Sequence, residues 1–287
     1  MDLLLDQFTS IFDFLATYPQ HHARTSKFYQ FHDGLVKAAF HEARARFEAG
    51  SEVPLGEFGP VVMPYEDFGG CDSVDLFGLD ELLIFAFYHR NRGKYHHGID
   101  IGANIGLHTI LMSKCGLQVK AFEPDPVHHA KLVRNLGLNG VTGCTSHMAA
   151  VSGTTGRMEF VRVLGNTTSS HLAGAKANPY GKLERFEVDL RDVRDIAAQA
   201  DLMKIDAEGH EDVILKALPI PIWKGVDAFV EIGTRVNANI VFEHFAGSGV
   251  NIFSQKLGWE RATQAEDMPS SYKEGSIFIS SKASMPW

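Results

Sequence analysis

Two strand-to-turn junctions in this sequence carry residues able to hold a charged ligand. The first is "GIDIGANIGLHTI", residues 98–110, in which an apolar run ends on Asp100 and glycines follow at Gly102 and Gly106. The second is "DLMKIDAEGHEDVILKAL", residues 201–218, which gathers Lys204, Asp206, Glu208, His210 and Glu211 where a strand pattern gives way to a helical one. A glycine-rich turn between a strand and a helix lets a ligand approach the backbone closely. Acids at strand ends can bind ammonium groups, ribose hydroxyls or an exchanging proton.

The first turn is not a dinucleotide fingerprint. With Gly102 as the first glycine of G-x-G-x-x-G, the second position is Asn104 and the third is Leu107. The second glycine is the one that admits a pyrophosphate. Asp100 instead offers a carboxylate to a ligand ammonium, which fits S-adenosylmethionine, a cofactor with an amino-acid end and no phosphate. Ribose binders of this class place an acid at the end of the next strand, about 20 residues on. "QVKAFEPD" supplies Glu123 there.

In the second cluster, Met203 and Ile205 fall on one face of a strand, Lys204 and Asp206 on the other. A buried lysine needs a partner, and Asp206 and Glu208 are close at hand. Ligands of open α/β sheets bind outside the carboxyl ends of the strands, so Asp206, Glu208 and His210 are expected to line one crevice. An alcohol acceptor needs a base within reach, and His210 is the first candidate because of its natural titration range. Asp206 would orient the acceptor or that histidine. His108 is the second candidate, on a core-facing helix. His96, His97, His128 and His129 read as surface residues. Asp206 and Glu231 are too few oxygen ligands for a metal signature, and no metal site is expected.

These residues must be positioned by an alternating pattern. Strands are read near "HGIDI", "LQVKAF", "CTSHMAAVS", "RMEFVRVL", "RFEVDL", "DLMKID", "DAFVEIG", residues 250–254 and "SIFIS". Helices are read at about 76–91, 106–115, 126–138, 191–199, 209–217 and 236–246. Such alternation argues for a mostly parallel sheet with helices on both faces. The pair "RMEFVRVL" and "RFEVDL" reads as an inserted hairpin. Residues 1–50 read as helical, ending at Gly50, and 51–75 as irregular structure or short strands. The chain therefore divides into an N-terminal helical extension and cap, 1–75, and an α/β domain, 76–287.

Composition narrows the classes further. The chain has 287 residues, 45 % hydrophobic, and a net charge of −8, which gives no electrostatic reason to expect nucleic acid. Three scattered cysteines form no C-x-x-C pair, so reduced thiols and a cytoplasmic setting are expected. "MDLLLDQFTSIFDFL" has acids where an export signal has bases, and no membrane span is expected.

The motifs "DIGANIGLHT", "AFEPDPVHHAKLVRNLGLN", "AAVSGTTGRMEF", "KIDAEGHEDVILKAL", "VEIG" and "SIFIS" follow one another as in the FkbM-type S-adenosylmethionine-dependent methyltransferases, which residues 76–282 resemble. The resemblance implies a Rossmann-like class I methyltransferase fold and methyl transfer to oxygen, on a hydroxyl of a sugar, glycan or natural product. Carried over by position, it implies cofactor contacts at Asp100, Gly102, Ala103, Asn104, Gly106 and Glu123. Ala149 and Ala150 would lie by the adenine, and Asp206 would face the methyl-transfer region. The "GNTTSSHL" loop, residues 165–172, would border the acceptor. A non-catalytic adenosine-binding module, or a methyltransferase with a protein or amine acceptor, is the competing reading. The first leaves the Asp206–Glu231 rim without a purpose. The second lacks an aromatic N-P-P-Y-type amine site.

Overall fold

A computed structural model describes residues 4–5, 8–176 and 181–287; residues 1–3 and 6–7, at the start of the N-terminal helical stretch, lie outside them. The N-terminal segment forms α1 (Ile11–Thr17), α2 (Lys27–Glu42) and α3 (Arg44–Glu48), then a two-stranded ribbon of β1 (Glu52–Pro54) and β2 (Pro60–Val62). Ser26 caps α2, its hydroxyl accepting from the Tyr29 N–H. Next comes α4 (Leu79–Arg90), in which every residue from Leu82 to His89 is buried. A helix apolar all round must be covered all round. One side of α4 meets the main sheet, and α1 and α2 pack on another.

The α/β part continues with β3 (His97–Ile101), α5 (Leu107–Lys114), β4 (Gln118–Phe122), α6 (Pro126–Leu138) and β5 (Cys144–His147). Four strands then form a separate sheet: β6 (Ala150–Ser152), β7 (Gly156–Val163), β8 (His171–Leu172) and β9 (Leu183–Asp192). The chain returns through α7 (Val193–Ala197), β10 (Leu202–Ile205), α8 (Glu211–Ala217), β11 (Asp227–Glu231), α9 (Arg235–Phe245), β12 (Asn251–Ser254), β13 (Glu260–Arg261) and β14 (Ser276–Ser280).

The main sheet has eight strands in the order β13-β12-β14-β11-β10-β3-β4-β5. From β11 to β5 the pairings are parallel. β14 inserts antiparallel between β11 and β12. This is the Rossmann-like class I methyltransferase arrangement expected from the sequence. Alternation along the strands divides the core: Ile99, Ile101, Met203, Ile205, Ala228, Val230, Ile277 and Ile279 face one helical layer. Val119, Ala121, Leu202, Phe229 and Phe278 face α4, α5 and the N-terminal helices on the other.

The stretch "CTSHMAAVS", expected as one strand, is two. β5 ends at His147 on the main sheet, and β6 pairs with β9 on the small one. The inserted hairpin is thus part of a four-stranded sheet with its own apolar cluster of Ala150, Phe160, Leu172, Val188 and Leu190.

Candidate active site

The strand order reverses between β3 and β10, and in open α/β sheets the ligand crevice lies at that switch point. The two strand ends are joined there. Asp206 N–H donates to the Ile101 carbonyl at 3.0 Å. Gly102 has φ +76°, and a Cβ on it would lie 1.8 Å from the Asp206 carbonyl oxygen. Only glycine permits this approach. The N–H groups of Gly102 and Ala103 both donate to the Phe122 carbonyl at the end of β4, each at 3.0 Å. Gly106 caps α5 at φ +93°, against Leu132.

Asn104 also lies in the left-handed region, φ +50°. Its N–H donates to Glu123 Oε2 at 2.8 Å, and Asp125 N–H donates to Glu123 Oε1 at 2.9 Å. Burial pushes the Glu123 carboxyl up to about 8 in spite of these two donors. Asn104 Oδ1 is buried with no hydrogen-bond partner. An acceptor without a donor is costly unless a ligand supplies one.

A cavity of about 230 Å³ opens over this turn. Of the residues expected at the site, Gly102, Asn104, Glu123, Ala150, Asp206 and Glu208 line it, and Glu231 joins them. Asp206 Oδ2 lies 3.2 Å from Lys204 Nζ, in the base of the site. Burial opposes the Lys204 charge, but Asp206, Glu81 and Glu231 outweigh it and raise the lysine above its ordinary value. Burial, then Asp206, push Glu208 up to about 7, against the opposing pull of Lys176, whose Nζ is 2.5 Å from Glu208 Oε2. Glu231 is pushed well above the usual carboxylate range by burial and by Asp206. Asp125 is already held by both arms of Arg162, each at 2.6 Å, which ties β7 to the start of α6.

Several expected residues stand elsewhere. Asp100 is 1 % exposed, and its Oδ2 accepts from Thr109 Oγ1 at 2.6 Å, so that oxygen is turned toward α5 and the residue is not among the cavity walls. Ala103 and Gly106 shape the turn through their backbones but are not cavity walls. His210 caps α8 with its Nε2 on Ser152 Oγ at 2.9 Å, away from the cavity lining. The cause is Glu211. Its carboxylate accepts from Ala207 N–H, Gly209 N–H and Asn237 Nδ2, which folds the turn so that His210 points to β6. His108 is also drawn inward, between Glu81 Oε2 at 2.7 Å and the Tyr88 hydroxyl at 3.0 Å.

His128, read as a surface residue, is 4 % exposed, lines the cavity and meets Thr167 Oγ1 at 3.0 Å. Burial pushes its imidazole down to about 4. His171, Cys71 and Leu76 line the cavity as well. They lie far apart in sequence, with no spacing that marks them as partners.

The lining is acidic: Glu123, Asp125, Asp206, Glu208 and Glu231 contribute carboxylates, and no lysine or arginine is among the described lining residues. A ligand phosphate would meet no lysine or arginine among these residues, whereas a ligand ammonium or sulfonium would favour the ionised form of the acids. Glu123 is placed to accept hydroxyl donors, and the Asn104 oxygen lacks one.

The methyltransferase FkbM domain model matches residues 100–257. Among curated proteins, the chain is 30 % identical over 185 residues to "Methyltransferase sdnD" of Sordaria araneosa, covering 53 % of this chain and 67 % of that protein. It is 26 % identical over 154 residues to "Methyltransferase 1" of Beauveria bassiana, covering 46 % and 62 %. The match thus spans less than two thirds of the second relative. Among solved structures, a precorrin-6y C5,15-methyltransferase from Geobacter metallireducens aligns at 12 % identity and TM-score 0.38, covering 68 % of this chain and 85 % of that one.

Proposed function

The chain belongs to the FkbM methyltransferase family, and on that premise we propose that it is an O-methyltransferase acting on a hydroxyl of a sugar, glycan or natural product. S-adenosylmethionine is the methyl donor. The observation that carries the reading is the carboxyl-rich cavity at the switch point, which has no lysine or arginine among its described walls. When bound, the donor supplies an activated methyl group on a sulfonium, so the protein mainly aligns, desolvates and accepts a proton.

The residues divide by role. Glu123 takes the ribose hydroxyls, with Gly102 and Asn104 giving close backbone approach. Ala150 borders the adenine. Asp206 and Glu208 face the cationic end of the donor. A nitrogen nucleophile that is neutral needs little help, whereas a protonated alcohol needs a base; a wall that offers a proton acceptor favours oxygen. Residues 76–287 form the reacting domain in this reading, with 1–75 as its cover. Cys71, Cys115 and Cys144 are all free, which suits a reducing cytoplasm. No helix among the described residues is long and apolar enough to cross a membrane.

The test is direct. Purified protein is incubated with methyl-labelled S-adenosylmethionine and a panel of alkyl glucosides, phenyl glucosides and hydroxylated polyketides, with amines and peptides as comparison. Methyl ethers among the products are expected. Label appearing on amines or peptides, with the hydroxyl panel inert, would refute oxygen as the acceptor. Stabilisation by NAD in place of S-adenosylhomocysteine would refute the donor.

A further inference from the structure

We infer that His171 is the base that takes the proton from the acceptor hydroxyl. The inference rests on the methyl-transfer reading and assigns a residue of the same site. β8 is only two residues long and pairs antiparallel with β7, His171 opposite Val161 and Leu172 opposite Phe160. It therefore hangs from the small sheet onto the cavity, where His171 is 2 % exposed and forms part of the wall.

The imidazole is held in one tautomer. Nδ1 lies 2.9 Å from the Ser169 carbonyl oxygen, which can only accept, so Nδ1 carries the hydrogen and Nε2 carries a lone pair. Nε2 has no hydrogen-bond partner among the described residues. The same carbonyl accepts from Lys176 Nζ at 3.1 Å, and that ammonium reaches Glu208 Oε2. One chain of bonds thus orients the ring and ties it to the acids at the end of β10.

The other proton acceptors of the wall are engaged. Glu123 holds two backbone N–H groups, Asp125 holds Arg162, Asp206 holds Lys204, and Glu208 holds Lys176. His128 Nε2 is on Thr167. Glu231 is pushed well above the usual carboxylate range by burial and by Asp206, which favours its protonated form. For His171, burial disfavours the imidazolium, the Ser169 carbonyl opposes that, and Lys176 and Arg185 add to the burial, so the balance favours the neutral ring that carries the Nε2 lone pair. Asp206 and Glu208, on the same cavity, compensate the charge that forms. As the acceptor oxygen forms its bond to the methyl carbon, the carbon–sulfur pair stays on sulfur and the hydroxyl proton passes to Nε2.

The test needs no acceptor. An adenosine analogue bearing an aziridinium at its 5′ end is incubated with the whole protein. The Nε2 lone pair forms a carbon–nitrogen bond, a ring carbon–nitrogen bond breaks, and its pair stays on the former ring nitrogen. The two-carbon arm extends past the methyl position to where the base stands. A single adduct is expected, located on His171 by peptide mass spectrometry and blocked by excess S-adenosylhomocysteine. Its rate should rise with pH through a midpoint below the usual imidazole range, then level off. His171→Gln should lose the adduct by about a hundredfold while S-adenosylhomocysteine affinity, read by calorimetry, stays within about twofold.

An adduct on Glu208, Asp206 or Cys71, with His171 unmodified, would overturn the assignment. So would no adduct in a protein that binds S-adenosylhomocysteine. Failure to bind S-adenosylhomocysteine at all would overturn the donor reading itself, and the His171 assignment with it.

Discussion

Glu123→Gln separates a ribose-binding carboxylate from a merely structural one. In the unliganded protein the Glu123 carboxyl is pushed up to about 8 by burial, with one backbone N–H already on each oxygen. Ribose hydroxyls are donors, so they favour the carboxylate over the acid. If only the anion binds, affinity for S-adenosylhomocysteine changes tenfold per pH unit well below that midpoint, and rises about 50-fold from pH 6 to pH 8. Binding at pH 6 should release close to one proton from this group, read by calorimetry in two buffers of different ionisation heat. Glutamine removes the titration and sets an amide NH₂ against one of the two backbone donors. Loss of a hydrogen bond to a charged group is worth about 1.5–3 kcal/mol, or 10- to 150-fold in affinity at pH 8. Glu208 and Glu231 also gain charge as pH rises and also favour a cation. Their effect survives in the variant, so the difference between the two pH curves reports Glu123 alone. Identical slopes in the two proteins would refute the reasoning.

The same buried acids predict how the unliganded protein responds to pH. Glu123, pushed up to about 8, Glu208 and Glu211, both up to about 7, and Glu231, pushed well up, hold protons that the unfolded chain has released. Stability should therefore fall from pH 6.5 to pH 8, by up to about 1.4 kcal/mol per unit per group, in urea unfolding; a rise over that window would refute it. The depressed imidazoles His22 and His128, both down to about 4, act in the opposite sense mainly below the window and fade within about one unit above its lower edge. Gly102→Ala forces a Cβ into the Asp206 carbonyl and an unfavourable φ, and should cost about 2–4 kcal/mol in unfolding free energy with loss of cofactor affinity. Normal affinity in that variant would mean the two strand ends can part without harm. His210→Ala removes only the bond to Ser152, so S-adenosylhomocysteine affinity should hold within about twofold and stability drop by about 1 kcal/mol. A collapse of affinity would return His210 to the site.

The residues that could be read from sequence are those whose position follows from strand direction alone. Gly102, Glu123 and Asp206 sit at the carboxyl ends of adjacent parallel strands, so an apolar run followed by a glycine or an acid is enough to place them. Asp100 is two positions further back, inside the buried strand. Which way it turns depends on Thr109 waiting on α5, a pairing that spacing does not reveal. His210 has the right spacing but the wrong direction, because Glu211 captures the backbone N–H groups of the turn and rotates it. His171 lies in the 165–172 loop that the resemblance places by the acceptor, but no spacing singles out the residue, since its two-residue strand acquires its place only by pairing with β7. His128 was hidden for a related reason. An adjacent histidine pair on a helix looks solvated until Phe68 and Thr167 cover one member.

The N-terminal segment covers α4 and reaches the cavity at Cys71. Phe12, Leu15, Phe40, Phe47 and Val53 share one apolar cluster with Leu82, Phe85 and Phe87 of α4 and with Ile110 and Leu111 of α5. Without that cover, α4 would expose an apolar face that no strand or helix of the α/β part reaches. The segment then runs on to the rim. Gly69 lies so near Gly165 that a Cβ would come within 2.3 Å of its carbonyl oxygen, and Cys71 Sγ meets Thr168 Oγ1 at 3.6 Å. The donor half of the cavity is built from strand ends, whose geometry the sheet dictates. The facing half is built from Cys71 and Leu76 on one side and Phe160 with Thr167, Thr168, Ser170, His171 and Leu172 on the other. Those two pieces lie outside the strands of the main sheet. The glycines at 69 and 70 keep them in register, because bulk at either position would drive the two walls apart.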